Sequence, residues 1–253
     1  MWDWFINFLS GILAGLQSFC GDWGLAIVIL TVIIRILIMP LMTRSTASSA
    51  KMQALQPKLM EIQQRYADDP QRQSEELQKF YAENKFNPLG GCLPLILQMP
   101  VFFALFSVTR DHIPADATLL GFIELGHSPA SVVAASGWVA AAPYLALVIL
   151  DGVLTFIPMV LQARQNSDSE QARQSLIMGG VMSIFILWFA WSINSGVLIY
   201  YVTSAVWQVV QQQIVTKRVT EKVKAETEAK LAADAVKVDV VRKERKARPR
   251  KKK

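Results

Sequence analysis

The chain contains little cysteine and little histidine. Cys20 and Cys92 are the only cysteines among 253 residues, which is too few for a disulfide framework. His112 and His127 are the only histidines, and their separation does not match the spacing of metal ligands. These absences exclude a disulfide scaffold and argue against a metal centre, so we expect neither a metal site nor a cofactor.

Apolar residues, in contrast, make up 52% of the chain. They occur in blocks about 20 residues long, the length that crosses a hydrocarbon core of roughly 30 Å at 1.5 Å per residue. The pattern predicts an all-α polytopic membrane protein with five transmembrane helices and its termini on opposite sides of the bilayer. The predicted spans are residues 24–42, 91–109, 142–162, 176–193 and 196–215.

The basic residues are distributed unevenly between the segments that join these spans. Seven lie in residues 43–90, two in 163–175 and fifteen after residue 216, whereas only Arg110 falls on the opposite side. Because cytoplasmic segments carry an excess of Lys and Arg, the N-terminus is predicted outside and the C-terminus in the cytoplasm. We therefore expect a multi-pass protein of the cell (plasma) membrane.

The N-terminal segment, residues 1–22, has the pattern of an amphipathic helix that lies in the lipid–water interface on the outer side of the bilayer. Its apolar stripe consists of Trp2, Phe5, Ile6, Leu9, Ile12, Leu13 and Leu16. A lipid-modified Cys20 would require a preceding signal peptide. The bulky Phe19 before it and the absence of a basic region in "MWDW" argue against that modification.

Residues 43–90 are polar and favour helix, and Asp69-Pro70 divides them into two stretches of similar length. This predicts an antiparallel helical hairpin that projects into the cytoplasm from the five-span core, residues 23–215. Seven basic and six acidic residues nearly cancel in the hairpin, so a solvated structure and a docking or gating element both remain open. In the outer loop, residues 110–141, the apolar patch "LLGFIEL" is interpreted as a short interfacial helix.

The tail, residues 216–253, holds fifteen basic residues against six acidic ones and ends in "RKERKARPRKKK". We expect it to be weakly helical and then disordered. Such a tail binds polyanions, either RNA phosphate or anionic lipid head groups. It also serves as a topology signal, and the sequence does not separate these three roles.

Polar side chains occur at depth in most of the predicted spans. Arg35 costs roughly 2.5–3.5 kcal/mol at the centre of a span, and the twelve aliphatic residues between Leu25 and Leu41 offset this at about 0.3–0.6 kcal/mol each. Arg35 lies roughly 16 Å and Asp151 roughly 13 Å below the outer ends of their spans. They form either an ion pair that holds two helices together or part of a hydrated groove. The candidate groove residues are Arg35, Thr31, Gln98, Asp151, Thr155, Ser204 and Gln208.

Three separated motifs around Arg35 resemble the YidC family of membrane protein insertases. They are "GDWGLAIVILTVIIRILIMPL", "KMQALQPKLMEIQQRYADDPQ" and "NPLGGCLPLILQMPVFFALF", and they occur in the order found in that family. The resemblance covers most of residues 20–215. Within the family, the chain is similar to the short form without a large extracytoplasmic domain. It implies a five-span core with a hydrophilic groove that is open to the cytoplasm and lipid, with Arg35 as the groove arginine and a mobile hairpin.

The resemblance also implies an activity without covalent chemistry, so we do not expect an enzyme. The expected partners are nascent membrane proteins, the translating ribosome through the basic tail and anionic lipids, but not DNA. Whether the Sec translocon takes part is left open. The alternative is a small ion- or proton-coupled transporter that uses Arg35 and Asp151 as a relay, although the sequence contains no evident inverted repeat. Asp151 matches no motif of the family.

Overall fold

Helices occupy most of the chain, as the apolar blocks predict. The computed structural model describes residues 2–84, 86–87, 90, 93–114, 116–165 and 169–244. The residues outside this description include Cys92, residues 88, 89 and 91 of the "NPLGG" segment, residues 166–168 and the basic end of the tail. The helices are α1 (Trp2–Cys20), α2 (Trp23–Arg65), α3 (Pro70–Glu83), α4 (Leu93–Asp111), α5 (Pro129–Ala140), α6 (Ala142–Gln165), α7 (Ser169–Ser192), α8 (Ser195–Gln211) and α9 (Lys217–Glu244).

The described chain divides into two compact units. One contains the residues up to Pro40 together with Leu95–Ile214, and the other contains Leu41–Pro94 together with the residues from Val215 onward. Helix α2 runs without a break from the first unit into the second, past residue 42, where the first predicted span ends. The tail helix α9 therefore belongs to the same unit as the polar hairpin.

Helix α1 presents two distinct apolar faces. Ile6, Leu9 and Leu13 are buried in a core shared with α2, α4 and α8. A second apolar face is exposed and carries Trp4 and Phe8, whose rings stack with centroids 5.5 Å apart. Most of the predicted stripe thus packs on other helices of the protein, whereas its members Trp2 and Ile12 are exposed, a division that the sequence pattern did not show.

A second core lies between α6, α7 and α8. Its buried residues are Val148, Ala190, Ile193, Val197, Leu198 and Val202. Gly152 of α6 contacts Leu187 of α7, and Gly179 of α7 contacts Met159 of α6, so a methyl group at either glycine would overlap the opposite side chain. These two contacts set an antiparallel register in which Ser183 lies level with Thr155.

The predicted outer loop, residues 110–141, contains a short β-hairpin where an interfacial helix was predicted. Strands β1 (Thr118–Leu119) and β2 (Ile123–Glu124) pair antiparallel across a turn with a positive φ of 79° at Gly121. The "LLGFIEL" prediction was therefore wrong about the local structure. The reason is that Ile123 and Leu125 are drawn into the protein core, while Phe122 stays exposed.

In the second unit, α2 and α3 form the predicted hairpin. The turn comes where Asp69-Pro70 predicts it: the Asp69 side chain accepts a hydrogen bond from the Arg72 amide at 3.1 Å, and Pro70 occupies the first turn of α3. Proline fits there because an N–H group in the first turn of a helix has no acceptor within that helix, so a residue without an N–H loses no hydrogen bond. An exposed ion pair between Lys58 and Glu61 lowers the pKa of the Glu61 carboxyl near the end of α2.

The chain returning from α3 is held against α2 by a regular series of hydrogen bonds. Ser45 donates to the carbonyl of Gly90 at 2.8 Å, Ser48 to that of Asn87 at 3.3 Å and Lys51 to that of Asn84 at 2.6 Å. Each step moves three residues along both segments in opposite directions. A side chain at residue 90 would collide with the Ser48 hydroxyl, which explains the glycine there.

Two helices of the described residues are long and apolar enough to cross a bilayer by length and composition. They are Trp23–Arg65 and Ala142–Leu161. The apolar helix Leu176–Ser192 is shorter, and α4 and α8 coincide with the second and fifth predicted spans. Every predicted span thus corresponds to a helix.

Candidate functional site

Arg35 lies at the centre of a polar cluster formed by three helices of the first unit. Its Nη2 donates to Oε1 of Gln98 at 3.4 Å, and the Gln98 amide nitrogen donates to the Tyr200 hydroxyl. Arg35 on α2 is 7% exposed and Tyr200 on α8 is 2% exposed. Gln98 on α4 is therefore a bridge, which accepts from the arginine and donates to the tyrosine.

Both side chains that follow Arg35 in this chain of contacts are uncharged. The Gln98 amide accepts from the guanidinium and is itself bonded to the Tyr200 phenol, so neither group cancels the charge of Arg35. Among the described residues, no carboxylate forms an ion pair with Arg35. The cluster consequently carries a net positive charge below the surface of a helical bundle.

Tyr200 is the member of this cluster that the sequence analysis did not find. It is buried and hydrogen-bonded inside the bundle. Tyr200, Ser204 and Gln208 follow at intervals of four residues, so they share one face of α8. Extending the predicted polar stripe of α8 by one turn would have identified Tyr200.

The other predicted groove residues on α2 and α8 have different environments. Thr31 is fully buried, and its hydroxyl donates to the carbonyl of Ile27 at 2.7 Å within its own helix. Ser204 is buried, whereas Gln208 is exposed one turn further along α8. The stripe on α8 therefore runs from a buried tyrosine to an exposed glutamine.

Asp151 and Thr155 lie on α6, which supplies no side chain to the hydrogen bonds of this cluster. Asp151 is 1% exposed, and its Oδ2 atom has no hydrogen-bond partner among the described residues. No ion pair joins Asp151 to Arg35 in the described chain. The choice between an ion pair and a hydrated groove stays a prediction.

One end of the first unit is closed by the β-hairpin and its flanking residues. The Asp22 carboxylate accepts from the amide of Leu25 at 2.8 Å and from that of Leu120 at 2.7 Å, which ties the start of α2 to the hairpin. At the start of α8, both the amide and the hydroxyl of Ser195 donate to the carbonyl of His127. These contacts leave the hairpin little freedom to move away.

Close packing reinforces this closure. A Cβ atom at Gly24 would lie 2.5 Å from Cβ of Leu119, and one at Gly196 would lie 2.9 Å from the Thr109 side chain. The α8 residues from Ser195 to Tyr200 are all buried, whereas Val206, Val210 and Gln208 further along are exposed. The bundle is thus closed at the hairpin end, and α8 becomes progressively exposed toward the other.

The family model of the 60Kd inner membrane protein matches residues 15–222. This match covers most of the chain and includes all three helices of the Arg35 cluster. The chain belongs to this family, the YidC family. As a member, it is an all-α membrane protein, and the predicted family is confirmed.

A solved structure supports the same conclusion. The fold is similar to the crystal structure of an active YidC insertase with its first transmembrane domain resolved, with a TM-score of 0.60 and 25% sequence identity. The match covers 85% of this chain and 47% of the other. The chain therefore spans about half the length of the YidC structure that it matches.

Proposed function

We propose that this chain is an insertase and chaperone that inserts newly made integral membrane proteins and helps them fold through a hydrated groove containing Arg35. The observation that carries the proposal is a buried arginine held in place by neutral groups. An arginine whose function is to join two helices would be matched with a carboxylate. Gln98 and Tyr200 instead orient the guanidinium and leave its charge available to an anionic substrate segment.

The proposed reaction moves a segment and breaks no covalent bond, so it is not enzymatic. An acidic outer segment of a substrate is attracted to Arg35, where the dielectric constant is lower than in water and the attraction is correspondingly stronger. The groove shortens the hydrocarbon path that the polar segment must cross. The apolar part of the substrate then leaves sideways into lipid, driven by its own transfer free energy.

The end of the first unit that the β-hairpin closes supports a groove that is blocked toward the outside. The hydrogen bonds of Asp22 and Ser195 anchor that end, while α8 becomes exposed beyond Ala205. In the proposed topology, α2, α4, α6, α7 and α8 supply five spans, with the N-terminus outside and the tail in the cytoplasm. The proposed domains remain an interfacial helix at residues 1–22, a core at 23–215 and a tail at 216–253.

A transporter based on an Arg35–Asp151 relay is not favoured. Such a relay requires the two side chains to exchange charge or protons directly, and no ion pair joins them in the described chain. Gln98 links Arg35 to Tyr200, and Asp151 takes no part in these hydrogen bonds. The arrangement therefore favours an electrostatic attraction site over a proton relay.

Proteoliposomes that contain the purified protein test the proposal. The measurement is protease protection of a small single-span substrate, prepared with either an acidic or a neutral outer segment, with a pH-sensitive dye inside the vesicles. We expect insertion of both substrates, faster for the acidic one, without a proton flux. A proton or solute flux without insertion would establish the transporter.

The partners follow from the same proposal: nascent membrane proteins, the translating ribosome and anionic lipids, with or without the Sec translocon. The tail is proposed to hold ribosomes by charge, because its fifteen basic residues outnumber six acidic ones. Deletion of residues 242–253 should weaken ribosome co-sedimentation and reduce its salt dependence. Unchanged binding at low salt would leave the tail as a topology signal.

A further inference from the structure

The tail helix α9 has one buried face, although its composition predicts a weak and solvated helix. Thr220 and Thr227 are 9% and 8% exposed, and Val223 and Leu231 are half-buried. These four residues follow at intervals of three, four and four, which places them on one side of a helix. A helix that buries a single continuous stripe is packed against a partner.

The hairpin supplies a partner for this stripe at Leu231. Leu231 packs against a core cluster formed by Leu55, Leu59 and Phe86. Leu55 is 0% exposed, so its environment is a protein interior. The aromatic and aliphatic residues that complete the cluster from α3 are Leu77, Phe80 and Tyr81.

Leu231 packs on a cluster at which all parts of the helical hairpin meet. Leu55 and Leu59 belong to α2, whereas Phe86 belongs to the return segment, which Ser48 and Lys51 attach to α2 through backbone carbonyls. Residues of α3 pack on the same cluster. Loss of Leu231 would therefore expose the point at which α2, α3 and the return segment meet.

Charged residues near Leu231 on α9 lie in solvent. Lys222 and Lys230 are exposed, and Lys222 forms a long ion pair with the exposed Glu226 at 3.9 Å. Docking of Leu231 thus leaves these basic side chains in solvent. The apolar contact and the charge of the tail are separable properties of one helix.

We propose that α9 braces the cytoplasmic hairpin by inserting Leu231 into the apolar site formed by Leu55, Leu59 and Phe86. The tail then has two independent functions: its charge determines what it binds, and its apolar stripe determines how rigid the hairpin is. The brace rests on residues of the second unit alone, so it is independent of the proposed insertase activity. The brace is a contact between the tail and the helical hairpin that the sequence did not indicate.

The first test is a pair of cysteine crosslinks in the full-length protein, with Cys20→Ala and Cys92→Ala to remove the native thiols. Phe86→Cys is combined with Leu231→Cys, and the control combines Phe86→Cys with Lys230→Cys on the exposed side of the same turn. We expect disulfide formation with Leu231→Cys at least about ten times faster, which corresponds to about 1.4 kcal/mol of preference. Equal rates would overturn the docked arrangement.

The second test measures hydrogen exchange of the α3 amides, residues 70–83, by mass spectrometry in detergent. Leu231→Ser is compared with Ala229→Ser, a matched serine on the exposed face, and neither variant changes the net charge. We expect about tenfold faster exchange in α3 for Leu231→Ser and wild-type exchange for Ala229→Ser, with unchanged exchange in α6 and α8 as the sign of an intact core. Unchanged α3 exchange in a folded Leu231→Ser protein would refute the brace, whatever the insertion assay gives.

Discussion

Arg35 and Asp151 are both ionisable side chains buried inside the same helical unit, yet their surroundings differ. Arg35 is part of a hydrogen-bonded chain through Gln98 to Tyr200, which links α2, α4 and α8. Asp151 lies beside the close α6–α7 contact, and its Oδ2 atom has no partner among the described residues. Burial alone therefore does not identify a functional charge, and the partners of the charge are more informative.

The difference suggests two ways in which a membrane protein tolerates an internal charge. A network of neutral groups positions the charge of Arg35 and keeps it available, which suits a site that attracts a substrate. The carboxyl of Asp151 has no such network, so we expect it to contribute neither to binding nor to stability. The predictions below test this contrast, beginning with the largest expected effect.

Arg35→Ala should slow insertion of acidic-tailed substrates by at least about tenfold. Opposite charges 4 Å apart at an effective dielectric constant of about 20 attract by about 4 kcal/mol, and each 1.4 kcal/mol is a factor of ten. Stability should change little, because Gln98 and Tyr200 still bond to each other. Protease protection in proteoliposomes and the thermal midpoint measure the two quantities.

The controls for this prediction separate charge from shape. Arg35→Lys should retain most of the activity because a point charge suffices, and Asp151→Ala should not rescue Arg35→Ala. Normal insertion of acidic-tailed substrates by folded Arg35→Ala protein would contradict the groove proposal. Rescue by the second substitution would restore the ion-pair interpretation.

Gln98→Leu should lower the free energy of unfolding by about 1–3 kcal/mol and reduce insertion by less than Arg35→Ala. The substitution leaves the guanidinium and the Tyr200 hydroxyl without the amide that joins them, and unpaired buried polar groups are costly. Met99→Leu, on the exposed side of α4, is the control and should behave as wild type. Equal stability of the two variants would mean that the amide bridge is not formed in the membrane.

Asp151→Ala should keep or raise stability, by up to about 2 kcal/mol, because it removes a buried polar atom that lacks a partner. The matched control is Val148→Ala, one turn earlier on α6, which removes buried methyl groups and should cost about 2 kcal/mol. Chemical unfolding of the two variants in one detergent measures the difference. A loss for Asp151→Ala as large as that for Val148→Ala would reveal a stabilising partner of the carboxyl.

The smallest effect is expected for the exposed pair Arg110–Asp111, whose atoms approach to 2.9 Å. The hydrogen bond from Arg110 lowers the pKa of the Asp111 carboxyl. A lowered folded-state pKa stabilises the protein above the unfolded pKa, and the contribution disappears as the pH falls through the folded value. Because solvent screens the pair, Arg110→Ala should leave the thermal midpoint and insertion at pH 7 unchanged. A clear loss of insertion would show that a surface charge also steers substrates.

The sequence was sufficient where local pattern and composition determine structure. The apolar blocks predicted a helix at each of the five spans, and Asp69-Pro70 predicted the turn of the hairpin. The three motifs around Arg35 predicted the family. The helices and the turn depend on residues that are near one another in the chain, so periodicity and helix-capping rules predict them, whereas the family was inferred from the resemblance of the three motifs.

Prediction failed where the answer depended on which distant segment covers a residue. Tyr200 was not among the predicted groove residues, because only the fold brings Gln98 of α4 to its hydroxyl. The "LLGFIEL" segment has apolar residues at spacings that suit a helix, and insertion of Leu125 into the bundle made it a hairpin. The apolar stripe of α9 was overlooked because its polar composition dominated, and Leu231 has its meaning only beside Leu55.

The sequence by itself determined that a helix forms at each predicted span, where Arg35 lies along its helix and where the helical hairpin turns. The tertiary structure alone decided that Arg35 is bridged by Gln98 to Tyr200, that Asp151 is left without a partner for Oδ2, and that α9 packs on the hairpin. The physical reason is that helical periodicity fixes which residues share a face but not which neighbour that face meets. That choice depends on close contacts between distant residues, such as Gly152 with Leu187 and Gly24 with Leu119, which set the register of one helix against the next.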